Sequence, residues 1–154
     1  MTALMNDIQI HASRKLVWQT LTQLDLLATY DPGTKAASIT GELSSGLGAE
    51  RRCEVRPTGW FQERVAAWEP EESLAFELVD CSFPVNALRH DYTLTESDGL
   101  THVTQTMTYQ LKYGRLGRAL DAVMLRRKWD NGIKAFLEGL KGHVESIQID
   151  NSRF

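Results

Sequence analysis

Hydrophobic and polar residues alternate from Leu4 to Ala12, with Ile8 and Ile10 on one face and Asp7, Gln9 and His11 on the other. Alternation of this kind predicts a half-buried strand. Ser13 follows, a residue whose hydroxyl can accept from the free N–H groups at a helix start. Val17, Leu21 and Leu24 then recur at i, i+4 and i+7, predicting a helix over 14–24. A second short helix, about 25–30, should stop at Asp31-Pro32-Gly33, because proline disfavours helical backbone in the residue before it. Both helices are too short to persist without packing on something larger.

From 34 to 112 the period changes to two, interrupted by clusters of turn residues. These are Ser45-Gly46-Leu47-Gly48, Pro57-Thr58-Gly59, Glu69-Pro70-Glu71-Glu72, Ser82-Phe83-Pro84 and Ser97-Asp98-Gly99. Six strands at this spacing form an antiparallel meander, which with the first strand makes seven. The segment 116–146 then reads as one long helix, interrupted only by Gly132, Gly139 and Gly142. Ile133, Phe136, Leu137, Leu140 and Val144 lie on one stripe of it. No linker, repeat or low-complexity stretch divides the chain, so residues 1–154 are expected to form a single α+β domain.

The last hairpin can be registered by arithmetic. With Asp98-Gly99 as a two-residue loop, Ser97 faces Leu100, and Leu94 meets Val103. Tyr92 then meets Gln105, His90 meets Met107 and Leu88 meets Tyr109. Opposed residues share a face, and this one is overwhelmingly apolar. The other face collects Arg89, Asp91, Thr93, Thr95, His102, Thr104, Thr106 and Thr108. The strand 60–68 admits two registers. One turns Arg64, Ala66 and Trp68 inward; a slip of one residue turns Phe61, Glu63 and Val65 inward instead. Either places one charged side chain on the covered face, where it would meet a ligand or, by preference, pair with a neighbour across the strands.

Composition narrows the functional classes. The 154 residues are 42% hydrophobic and 24% charged, the balance of an ordinary globular domain. Seventeen Lys and Arg against 20 Asp and Glu give a net charge of −3, which argues against a strongly basic nucleic-acid surface. Arg126-Arg127-Lys128, with Arg115 and Arg118 upstream, points in several directions around its helix and reads as a solvated face. No window approaches a membrane span, and the first residues lack the pattern of a secretory signal, so the expected address is the cytoplasm. Cys53 and Cys81 should lie one whole strand apart, too far for a disulfide, and are expected as reduced thiols. The cysteines and His11, His90, His102 and His143 show no paired metal-ligand spacing, and neither metal nor cofactor is expected.

The element order, together with particular residues, resembles the START/polyketide-cyclase superfamily of helix-grip proteins. The matching segments are Ile10-His11-Ala12-Ser13, Val17-Trp18 and Leu21; Glu63-Arg64-Val65 with Trp68-Glu69-Pro70; and Leu137-Glu138-Gly139-Leu140-Lys141 with Val144-Glu145. Tyr30-Asp31-Pro32 stands where the superfamily usually has Trp-x-Pro. The matches span about 5–146, and their order carries the resemblance. It implies a curved sheet gripping the long helix, with a cavity between them for a hydrophobic small molecule such as a lipid, polyketide or aromatic compound.

The resemblance implies no shared catalytic motif, so function must come from the site. The expected ligand contacts are His90, Tyr92, Gln105, Met107, Tyr109, Leu88, Phe76, Arg64 and Tyr30. His90 could act as a general acid/base or donate to a ligand, and its structural alternative is a histidine bonded to a neighbour. Tyr30 and Asp31 could gate the entrance, although an Asp-Pro-Gly turn has sufficient structural cause. Trp18, Trp60, Trp68 and Trp129 are expected as packing aromatics. The leading expectation is a carrier of a small hydrophobic molecule. The alternatives are a cyclase or dehydratase using His90, favoured by a second titratable group in the same cavity, and a protein-interaction module.

Overall fold

The computed structural model describes residues 1–120 and 124–153. Seven strands form one antiparallel sheet in the order β1-β7-β6-β5-β4-β3-β2. They are β1 Thr2–Ile10, β2 Thr34–Thr40, β3 Glu50–Val55, β4 Trp60–Glu69, β5 Ser73–Cys81, β6 Val85–Ser97 and β7 Leu100–Leu111. The meander of β2 to β7 is closed on one side by β1, which pairs with β7 from Thr2 opposite Tyr109 to Ile10 opposite Thr101. Between β1 and β2 lie α1 (Arg14–Thr22), a 3-10 turn (Leu24–Leu26) and α2 (Leu27–Tyr30). After β7 come α3 (Gly114–Leu120) and α4 (Arg126–Ser152).

Local chemistry accounts for the boundaries. Ser13 Oγ accepts from Leu16 N–H at 3.2 Å and caps α1. Asp31 ends α2 by accepting from Gly33 N–H at 3.1 Å and from Thr34 Oγ1 at 2.7 Å. Asp98 and Gly99 both have positive φ, 52° and 77°, as a two-residue hairpin requires. The resulting register pairs Ser97 with Leu100, Leu94 with Val103, Tyr92 with Gln105, His90 with Met107 and Leu88 with Tyr109, as the arithmetic predicts. Cys53 lies opposite Phe61, which lies opposite Cys81, so one strand separates the two free thiols.

The register of β4 combines the two expected from sequence. Glu63 faces inward and Arg64 outward, but irregularities at Gln62/Glu63 and Val65/Ala67 shift the phase. Val65 keeps the parity of Glu63 and is buried, and the irregularity after it lets Trp68, three residues on, reach the inner side to meet the Trp18 ring edge-on at 5.1 Å. Further irregularities occur at Thr34/Ala36 and Val85/Ala87. Bulges bend a sheet, and this one curves around α4.

The C-terminal helix packs its stripe of Ile133, Phe136, Leu137, Leu140 and Val144 into the curve, all five buried. Each such side chain contributes about 1.5–3 kcal/mol when removed from water. Gly139 permits the closest approach: a methyl group there would collide with the backbone carbonyl of Tyr30. The helix expected over 116–146 differs from the observed arrangement at both ends. It runs on to Ser152, while α3 precedes it and ends at Leu120. The part of that expected helix at 121–123 lies outside the described residues.

Candidate functional site

The C-terminal half of α4 packs directly on the sheet through Leu137, Leu140 and Val144. Its first half touches the sheet through Trp129 on Tyr109 and Phe136 on Tyr92 but leaves space beside these contacts. Between Trp129, Gly132, Ile133 and Phe136 of α4 and the inner faces of β3 to β7 lies a cavity of about 300 Å³. Phe61, Leu78, Leu88 and Met107 supply apolar walls. Exposed Gly33, Pro57, Thr58 and Lys128 also belong to its wall, so it reaches the surface between the turn after α2, the β3–β4 turn and the start of α4.

Polar groups gather on the sheet side. Arg51 of β3 and Glu63 of β4 are directly opposite neighbours, and their side chains are only 5% and 2% exposed. Arg51 Nε and Nη2 both donate to Glu63 Oε1 at 2.6 Å, and Nη1 donates to the Leu24 carbonyl at 3.3 Å. The guanidinium also lies over the Phe76 ring, 4.3 Å from its centroid. Burial is the largest single influence and works against the Arg51 charge, but Glu63, joined by Cys53, Tyr30 and Tyr92, outweighs it and holds the pKa above its ordinary value. Next along the face, His90 Nδ1 and Gln105 Nε2 are 3.0 Å apart. Burial pushes the His90 pKa below its usual value, with Glu63 opposing and Arg51 reinforcing the shift. The imidazole is thus neutral at pH 7. Tyr92 stacks on His90 at 6.4 Å and lies 5.9 Å from Phe136, and burial raises its phenol pKa well above 10.

A family model described as polyketide cyclase/dehydrase and lipid transport matches residues 1–145. The chain belongs to this START/polyketide-cyclase-like, helix-grip family. Its structure is similar to that of TTHA0849 from Thermus thermophilus, with a TM-score of 0.81, 16% identity, and coverage of 95% of this chain and 99% of that one. It is similar to the Zhui aromatase/cyclase of a Streptomyces species, with a TM-score of 0.75, 18% identity, and coverage of 94% and 93%. A START superfamily protein from Mycobacterium smegmatis superposes with a TM-score of 0.79 at 12% identity, covering 94% of this chain and 98% of that one. At such identities the likeness establishes the fold. No curated protein matches the sequence significantly.

Within this helix-grip cavity, five of the residues expected from sequence come together: Leu88, His90, Tyr92, Gln105 and Met107. Four do not line it. Phe76 is buried beneath the Arg51 guanidinium. Tyr30 packs between Phe136 and His143, with ring centroids 5.8 and 5.7 Å away, while its neighbour Asp31 reaches the cavity wall. Tyr109 is covered edge-on by Trp129 at 4.7 Å. Arg64 is corrected outright: its side chain is 53% exposed on the outer face and paired with Glu50 at 2.6 Å. With Glu63 turned inward, period two forces its neighbour out, and Arg51 across the strand offsets the cost of burying the carboxylate.

The charged residue of the cavity wall that sequence reasoning missed is Arg51. The signal was present, because Arg51 shares the parity of Ala49 and Cys53, both buried. Phe61, Ile133 and Phe136 were placed in strand or helix patterns without being assigned to the site. Among the described residues, no three His, Cys, Asp or Glu side chains are grouped to hold a metal ion, and no helix is long and apolar enough to cross a membrane.

Proposed function

We propose that this protein binds and carries a small, largely hydrophobic molecule in the cavity under the first half of α4. The observation that carries this reading is the cavity itself: about 300 Å³, apolar over most of its wall, with a few polar side chains at one side. Small-molecule sites have this constitution, apolar area supplying affinity and sparse polar groups supplying orientation. The family description, which includes lipid transport, supports the same reading.

A second reading is enzymatic, and one observation favours it. Glu63 shares the cavity with His90, so a second titratable group is present where a cyclase or dehydratase would need one. The similar Streptomyces protein is an aromatase/cyclase. Binding remains the leading reading because Glu63 is engaged by Arg51, and His90 has Gln105 as its hydrogen-bond partner. General acid/base chemistry needs a proton donor and acceptor both free to reach the reacting group, and the Arg51 guanidinium already holds the Glu63 carboxyl group.

Native mass spectrometry of protein purified from its own host tests both. The expected result is a retained mass of a lipid or aromatic compound, and a rise in melting temperature when that compound is added back. His90→Leu should keep the fold and the affinity for an apolar probe. Loss of turnover with binding intact would reverse the order of the two readings. No retained mass, and no thermal shift across lipid and aromatic libraries, would leave the protein-interaction reading in possession.

A further inference from the structure

Gln105 Oε1 is buried and has no hydrogen-bond partner, although Gln105 as a whole is only 2% exposed. It lies on the cavity wall beside His90, and among the described residues it shares this orphan state with Arg14 Nε and Thr40 Oγ1, neither of which lines the cavity. An orphan acceptor of this kind is costly unless something outside the protein donates to it. Its neighbours sharpen the requirement. With Gln105 Nε2 donating to His90 Nδ1, the imidazole carries its proton on Nε2, so two residues of the same cavity wall supply a free acceptor, Gln105 Oε1, and a free donor, His90 Nε2–H. If the amide is turned over, Oε1 accepts from Nδ1–H, the NH₂ group becomes the free donor and Nε2 the free acceptor. The pair therefore offers one acceptor and at least one donor in either arrangement. Tyr92, whose hydroxyl makes no hydrogen bond among the described residues, adds a group able to do both.

We infer that the ligand carries a hydroxyl group, alcoholic or phenolic, which donates to and accepts from the Gln105–His90 pair while its apolar body fills the space toward Phe61 and Phe136. A carbonyl or ether can only accept and leaves one member of the pair unmatched. A hydrocarbon leaves both unmatched. Gln105 is thus a specificity determinant, and the apolar wall supplies the affinity that all three ligand types share. This inference rests on the cavity being a ligand site, as proposed above.

The test uses the full chain and three probes of one shape: naphthalene, 2-naphthol and 2-methoxynaphthalene, titrated by calorimetry into the wild type and Gln105→Met. Circular dichroism melting verifies that the variant is folded, and Gln105→Leu serves if it is not. The wild type should prefer 2-naphthol to 2-methoxynaphthalene, and the substitution should shrink that preference by about fivefold or more, the fold-change expected for one hydrogen bond to a buried, otherwise unpaired acceptor. Affinity for naphthalene should hold or improve in Gln105→Met. If all three probes bind and the naphthol preference is absent, or is the same in both proteins, the hydroxyl inference is overturned while the cavity reading stands. If none of the three binds the wild type, both are overturned.

Discussion

Replacing Glu63 by Gln removes the negative partner of a guanidinium that stays buried. The Arg51 and Glu63 side chains are 5% and 2% exposed, so solvent offers the remaining charge little help. Breaking a buried ion pair from one side costs about 3–5 kcal/mol. The lower end applies here, because Arg51 keeps the Leu24 carbonyl and the Phe76 ring face. At about 2 kcal/mol per molar urea, the unfolding midpoint should fall by about 1.5 M. The melting temperature should drop by about 6–12 °C for a chain of this size. The double variant Arg51→Met with Glu63→Met removes both charges and should recover most of the loss, because an apolar pair of similar volume leaves no buried charge. Urea unfolding of the wild type, Arg51→Met, Glu63→Met and the double variant gives the coupling energy directly, expected near 3 kcal/mol. A shift below about 0.3 M for Glu63→Gln, or a double variant as unstable as the two singles added, would refute the reasoning. The pair would then be hydrated through the cavity, and its small exposed area would not measure its isolation from water.

Gly139→Ala should destabilise the fold by at least about 2 kcal/mol, since its methyl meets the Tyr30 carbonyl, and thermal melting would expose any tolerance. Gly142→Ala, with open space around it, should instead stabilise the exposed face of α4 by up to about 1 kcal/mol. The depressed His90 pKa gives a pH signature. The unfolded chain binds the proton more readily, so stability is full well above pH 6.5 and declines as pH falls below it, by up to about 1.4 kcal/mol per unit until the folded pKa is passed. Glu63, Arg51, Asp91 and Asp31 all act on this imidazole, so the measurement is the difference between the wild-type and His90→Gln stability curves over pH 4–8. Parallel curves would show that His90 is not the group responsible.

Much of the architecture was legible because it rests on local rules. Ser13 caps α1, Asp31-Pro32-Gly33 ends α2, and Asp98-Gly99 forces the hairpin that sets four opposed pairs on the inner face. Once that turn is placed, period two assigns His90, Tyr92 and Gln105 to one side without any tertiary information. The same periodicity failed on β4, where the phase shift between Val65 and Ala67 lets Phe61, Glu63, Val65 and Trp68 all reach the inner side. A bulge adds one residue to a strand and carries no residue signature strong enough to locate it from alternation.

By itself, then, the chain's pattern determined which elements form, in what order, and which face of the β6–β7 hairpin is covered, because those follow from side-chain period and turn stereochemistry. Only the tertiary structure decided that Glu63 rather than Arg64 turns inward, that Arg51 meets it there, and that Tyr109, Tyr30 and Phe76 are packed away from the cavity. It also decided where α4 stands off the sheet. A cavity is space left between elements whose separation is set by bulges, by helix length and by close approaches such as Gly139 against Tyr30. Those are distances between residues far apart in the chain, and no local pattern encodes them.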